Sequence, residues 1–167
     1  MNYNQIKIEN ITIDENHNIF YKNSNNIRKK LILKTPKLYI PFGIDRQEKK
    51  LYINAQLRKT TDTKYNSELD LFETCIQNIE THFKNSLNKP INSQLRYSDK
   101  YDTIITLKIK KNKDKITTEI KENNRYFNLY SIKKQTYMVS EIIIDKLWIY
   151  NDTIYYKIKL TKIDYSV

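Results

Sequence analysis

Apolar and polar positions alternate along most of the chain, the period of strands with one buried face. From Leu51 to Arg58, Leu51, Ile53, Ala55 and Leu57 fall on one side and Tyr52, Asn54, Gln56 and Arg58 on the other. Thr103 to Lys110 repeats the pattern, setting Ile105, Leu107 and Ile109 against Thr106, Lys108 and Lys110. Lys30 to Ile40 carries Leu31, Leu33, Leu38 and Ile40 but is interrupted by Pro36, which predicts a kinked or edge strand, ended by Pro41-Phe42-Gly43 and followed by a charged loop from Asp45 to Lys50. Ile6, Ile8, Ile11 and Ile13 alternate imperfectly, so residues 1–30 are expected to form an edge strand or an N-terminal arm, with an Asn-rich loop at Asn23 to Asn26. Ile116 to Lys121 and Tyr126 to Ile132 read as further strands. Glu141 to Tyr150 and Thr153 to Ile163 read as one long hairpin, because Asn151-Asp152 tolerates the positive φ of a two-residue turn.

One segment changes period. Leu69, Phe72, Ile76, Ile79, Phe83 and Leu87 recur at steps of three and four, which predicts a helix from Ser67 to Leu87 with Ser67 and Asp70 as its capping box and Asn88-Lys89-Pro90 as its stop. Strands on both sides of a single helix predict an α+β fold: one domain over residues 1–167, strand-rich, with a curled antiparallel sheet or an OB-like β-barrel around one central α-helix. In that barrel the helix commonly stands between the third and fourth of five strands.

The last hairpin can be read pair by pair, since its loop sets the register. Tyr150 faces Thr153, Ile149 faces Ile154, Trp148 faces Tyr155, Leu147 faces Tyr156 and Lys146 faces Lys157. One face then collects Ile143, Leu147, Ile149, Ile154, Tyr156, Ile158 and Leu160 and belongs in the core. The other collects Trp148, Tyr150, Tyr155, Lys146, Lys157 and Lys159. Like charges opposite each other destabilise a sheet, so Lys146 against Lys157 makes sense where a polyanion removes the repulsion. Trp148 and Tyr155 offer flat faces on which unpaired bases stack while lysines meet phosphates. Tyr52 and Arg58 repeat the theme on another outer face, as do Lys108 and Lys110 without an aromatic. The plainer reading is that exposed Lys and Tyr are ordinary on strands and Trp is usually packed; a one-residue slip would exchange the two faces.

Composition sharpens this picture. Lys and Arg number 30 against 19 Asp and Glu, a net charge of +11 that attracts polyanions. Lys, Asn, Ile and Tyr have A- and T-rich codons, so an AT-rich genome accounts for part of the lysine excess, and the placement of the lysines carries more meaning than their number. The single Cys75 lies on the apolar helix face, where a core thiol is expected, and cannot build a thiolate metal cage. His17 and His82 lack metal-ligand spacing, and Glu68, Asp70 and Glu73 occupy the first helical turns, where acids are favoured electrostatically. With Gly43 as the only glycine, there is no phosphate-cradling loop and no dinucleotide fingerprint. No metal, cofactor or catalytic residue is therefore expected, and the chain is not read as an enzyme. No apolar run approaches a membrane span, and the polar Met1 to Gln5 is unlike a secretory signal, so an intracellular, reducing location is expected: host cytoplasm or nucleus, or a virion.

Thr35-Pro36-Lys37-Leu38-Tyr39-Ile40-Pro41-Phe42-Gly43, the strand Leu51 to Leu57, the helix and the closing Leu147-Trp148-Ile149-Tyr150 hairpin together resemble small single-stranded-DNA-binding proteins of large nucleocytoplasmic DNA viruses. The resemblance implies an oligonucleotide-binding barrel that coats single strands during viral replication and carries no catalytic residues. The sparse glycine departs from the usual relief of barrel corners.

Three functions follow as expectations. The first is a sequence-tolerant binder of single-stranded DNA or RNA, acting in viral DNA replication or repair. The second is a structural or interaction component, a virion or assembly protein with a basic DNA-facing surface that binds a protein partner or itself. The third, a nuclease with acids such as Asp45 or Asp145 gathered only by the fold, has no support in the sequence.

Overall fold

The computed structural model describes residues 1–123 and 125–165. Five strands close into a barrel: Leu38–Ile40, Lys50–Gln56, Ile104–Ile109, Thr136–Ile144 and Ile158–Asp164. The first three pair antiparallel in sequence order, the fourth runs antiparallel to the first and the fifth, and the fifth closes the barrel by lying parallel to the third, Leu107 opposite Ile158 and Ile109 opposite Leu160. This is an OB-like α+β fold. The alternation of the sequence is the physical basis of the closure: Ile53, Ala55, Ile105, Leu107, Ile109, Met138, Ile142, Ile158 and Leu160 turn inward and lie in one apolar core.

Pro36 divides the first strand as expected. Leu31–Lys34 and Leu38–Ile40 both pair with Thr136–Ile144, and the break between them is stitched by Thr35 and Ser140, which are buried. The Ser140 amide donates to Thr35 Oγ1 at 3.0 Å, the two hydroxyls lie 3.1 Å apart, and the Thr35 amide donates to the Ser140 carbonyl at 2.8 Å.

The helix spans Thr63–Leu87 and starts earlier than the Ser67 capping box implied. Its cap is Asp62, whose carboxylate accepts from the amides of Lys64 and Tyr65, while the Ser67 hydroxyl donates back to the Thr63 carbonyl. Leu69, Phe72, Cys75, Ile76, Ile79 and Phe83 are buried in the same core as the barrel interior, and burial pushes the Cys75 thiol up to about 11. The helix sits between the second and third barrel strands, not between the third and fourth. The third-to-fourth connection instead holds short ribbons, Lys111–Asn112 with Lys115–Ile116 and Glu119–Glu122 with Arg125–Tyr126, followed by a turn of 3-10 helix at Leu129–Ser131 where a strand to Ile132 was expected.

Residues 1–30 do more than extend an edge. Ile11–Ile13, Ile19–Lys22 and Arg28–Lys29 form a separate three-stranded sheet, and Tyr3 packs edge-on against Phe72 at 5.5 Å. The segment from Asp45, expected as a loop, is partly strand: Ile44–Gln47 pairs with Lys50–Gln56. Corners that glycine would relieve are taken by other residues in left-handed conformation, including Asn26, Asn88, Asn151 and Asp152, whose short polar side chains tolerate it.

Candidate nucleic-acid interface

The hairpin at the C-terminal end was expected to be one continuous ladder, but the structure divides it. Leu147–Tyr150 pairs with Thr153–Tyr156 in the expected register, Trp148 opposite Tyr155. Between that ribbon and the barrel the first arm holds one residue more than the second, because Leu147 faces Tyr156 while Ile143 faces Lys159. The extra residue lets the ribbon stand apart from the barrel. Two expectations fail. Ile149, assigned to the core, is 37% exposed, and Lys146 does not oppose Lys157 but bridges to Asn18.

The ribbon is braced on both edges. The Leu147 amide donates to the His17 carbonyl at 2.9 Å and the Ile19 amide to the Asp145 carbonyl at 3.0 Å. On the other edge the Ile154 amide donates to the Pro90 carbonyl and the Asn92 amide to the Ile154 carbonyl, each at 2.8 Å. Asn151 and Asp152 make the turn with positive φ, and Lys89 forms an ion pair with Asp152. A surface fixed in this way would lose little conformational entropy on meeting a ligand.

On it Trp148, 41% exposed, lies nearly parallel to Tyr155, planes inclined 18° and centroids 6.1 Å apart, with Tyr150 edge-on to Tyr155 at 6.4 Å. Below them is a recess of about 230 Å³ lined by Lys50, Tyr52, Lys108, Asp145, Lys146, Trp148, Lys157 and Lys159. Five lysines thus meet one carboxylate. Asp145 accepts from Lys159 Nζ at 2.8 and 2.9 Å, which leaves the remaining charge uncompensated. The like-charge pair inferred from the sequence exists, on other residues: Lys108 and Lys159 stand opposite each other in the parallel ladder. Burial, then the neighbouring Lys159, Lys50 and Lys157, hold the Lys108 ammonium below its ordinary range, and burial followed by Lys50 does the same for Lys157. Tyr52, expected on the open outer face, keeps only 6% exposure, with Lys157 Nζ 5.6 Å from its ring centre.

Of the ten residues proposed from the sequence, Tyr52, Lys108, Lys146, Trp148, Lys157 and Lys159 converge on the recess, and Tyr155 and Tyr150 extend it along the ribbon. Arg58 and Lys110 do not line it. Arg58 instead covers Tyr39 at 4.6 Å, beside a Tyr39–Tyr137 contact and Lys37 over Tyr137, and Lys110 follows the end of the third strand, its amide accepted by Thr118 Oγ1. Lys50 was not foreseen, because it ends a charged loop with no alternation to place it.

Among the described residues no group of His, Cys, Asp and Glu is arranged to hold a metal ion, and no helix is long and apolar enough to cross a membrane.

In OB-like barrels, ligands lie across the second and third strands and between the loops that join strands one and two and strands four and five. The lysine recess stands on the second and third strands, and the aromatic ribbon is the four-to-five connection. No protein-family model matches the sequence, and no curated protein sequence matches it. The fold is similar to that of a single-stranded DNA-binding protein from bacteriophage Enc34, with a TM-score of 0.56 and 11% identity, over 93% of this chain and 88% of that one. At that identity the likeness concerns the fold.

Proposed function

We propose that this protein is a non-catalytic, sequence-tolerant binder of single-stranded DNA, acting inside the cell in the replication or repair of a viral-type genome. One observation carries the reading: a braced Trp148–Tyr155 stacking surface directly above a recess with five lysines and one acid, on the face where OB-like barrels hold strands. Bases stack on the ribbon and phosphates enter the recess. The phage protein of similar fold supports the same reading by its name.

The test is fluorescence anisotropy with labelled oligo-dT and its duplex counterpart at several salt concentrations. Oligo-dT binds more tightly than duplex, and engagement of three to five phosphates gives a log–log salt slope of about −2 to −3.5. Equal, weak binding to both would reduce the charge to a general polyanion attractor.

The recess adds a pH dependence. Lys108 and Lys157 lose their protons at lower pH than ordinary lysines, and a bound polyanion favours the charged form, so binding takes up protons. Affinity for oligo-dT therefore falls as pH rises through the range just below about 10.4. Lys108→Arg, charged throughout, flattens the decline; an unchanged pH profile in that variant would remove Lys108 from the phosphate path.

A second reading, a protein-contact or assembly role, is favoured by Tyr126 and Tyr130, which are 71% and 72% exposed on the third-to-fourth connection. A stable complex with a partner that survives nuclease treatment would support it.

A further inference from the structure

A second recess, of about 410 Å³, opens further along the same two strands and is lined by Phe42, Asn54, Gln56, Arg96, Tyr101 and Ile104. Asn54 and Gln56 follow Tyr52 on its face of the second strand, opposite Thr106 and Ile104 of the third. Phe42 and Tyr101 leave 67% and 55% of their surface open, two ring systems at the rim with no cover. The floor is polar and one-sided. Asn54 Oδ1 accepts from Arg96 Nη2 at 2.8 Å and from Thr106 Oγ1 at 3.1 Å, so both lone pairs of that oxygen are in use. Its Nδ2 meets no acceptor among the described residues, and the exposed Arg96 retains further N–H donors. Gln56 is free to turn either end of its amide. The fixed polar groups of the recess are donors.

We infer that this recess is a base-reading subsite that accepts a base with a keto oxygen at the purine 6-position or the pyrimidine 4-position, guanine or thymine, in preference to adenine; the inference rests on the single-strand reading above. Phe42 and Tyr101 supply ring contacts, and the keto oxygen accepts from Arg96 and Asn54. Adenine would set its 6-amino group against those same donors, leaving polar groups unpaired as the base covers them. An asparagine reads adenine by accepting from that amino group through its carbonyl, but here the carbonyl is already engaged twice. Gln56 adapts to either base and sets no preference.

The experiment uses two labelled strands of abasic tetrahydrofuran residues, one with deoxyinosine at every third position and one with deoxyadenosine there, so that no other base fills the recess. The two purines share N7 as an acceptor and differ at the 6-position, keto against amino, and with it at N1, a donor in inosine and an acceptor in adenosine. The inosine strand binds about five- to tenfold more tightly. Asn54→Asp keeps a partner for Arg96 but replaces Nδ2 with an acceptor, and brings the ratio of the two affinities to one or below, whatever its effect on overall affinity. Phe42→Ala weakens both strands alike. Equal affinities in the unaltered protein, or binding of oligo-dT with neither purine strand bound, would overturn the base-reading subsite and leave single-strand binding standing. Failure to bind oligo-dT as well would overturn both.

Discussion

Replacing Trp148 and Tyr155 together by alanine lowers affinity for oligo-dT by about 30- to 1,000-fold, the equivalent of roughly 2 to 4 kcal/mol of lost stacking. The loss is one of binding and not of folding, because neither ring belongs to the core. Trp148 is 41% exposed, and the ribbon is held from its other face by Leu147, Ile154 and Tyr156, which are 1% exposed or less. Circular dichroism and melting temperature stay close to those of the unaltered protein. Tyr150→Ala, at the tip and 63% exposed, has a smaller effect, since its ring meets Tyr155 only by its edge. Unchanged affinity in a folded double variant would take the ribbon out of the interface and leave the lysine recess as a general anion attractor.

How much of this surface could be read from the sequence depended on how local its determinants were. The Trp148–Tyr155 pairing was legible because Asn151-Asp152 fixes a two-residue turn, and the four observed pairs follow from it. The extra residue near Asp145 and Lys146 was not, because it depends on Leu147 and Ile19 finding partners in each other's segments. That residue is why Lys146 does not oppose Lys157, whereas the repelling pair is Lys108 with Lys159 because the fifth strand lies parallel to the third. The parallel closure of Ile158 to Leu160 on Leu107 to Ile109 joins segments some fifty residues apart, and no local pattern announces it.

The helix shows the same division. Its apolar face was plain from Leu69 to Phe83, but its first turn, Thr63 to Asn66, is mostly polar, so the period began too late to reveal Asp62 as the cap. No periodicity marks Phe42, Arg96 and Tyr101 as site residues, because they lie where alternation is absent: a turn after a strand and the stretch leading into the third strand. Only the fold brings them to Asn54. Strands and faces are local properties and were readable, whereas recesses are made by chain segments that meet through closure.

Glu80→Ala is expected to cost about 3 to 5 kcal/mol of stability, enough to lower the melting temperature of a chain this size by roughly 10 °C or more. Glu80 is a carboxylate on the helix with 7% exposure, and a single oxygen, Oε1, accepts from Tyr156 OH at 2.5 Å, Ser93 Oγ at 2.9 Å and the Gln94 amide at 3.1 Å. Alanine would strand two buried donors, the Tyr156 hydroxyl and the Gln94 amide, each costing about 1 to 3 kcal/mol, and would open space beside Phe83 and Tyr156, whose rings meet edge to face at 5.8 Å. Burial first, and then Glu80, keep the Tyr156 phenol protonated well above its ordinary range, so the hydroxyl acts as a donor throughout the working pH. Glu80→Gln retains an oxygen at the junction and loses less. Tyr156→Phe removes one donor and leaves the carboxylate two, a loss of about 1 kcal/mol. Because Tyr156 is the neighbour of Tyr155 at the base of the ribbon, this junction ties the helix to the stacking platform. Urea titration ranks the three variants, and anisotropy on whichever remain folded shows whether loosening the junction also weakens oligo-dT. A Glu80→Ala protein as stable as the unaltered one would mean that water or a neighbouring group replaces the carboxylate at no cost, and would remove this link between core and interface.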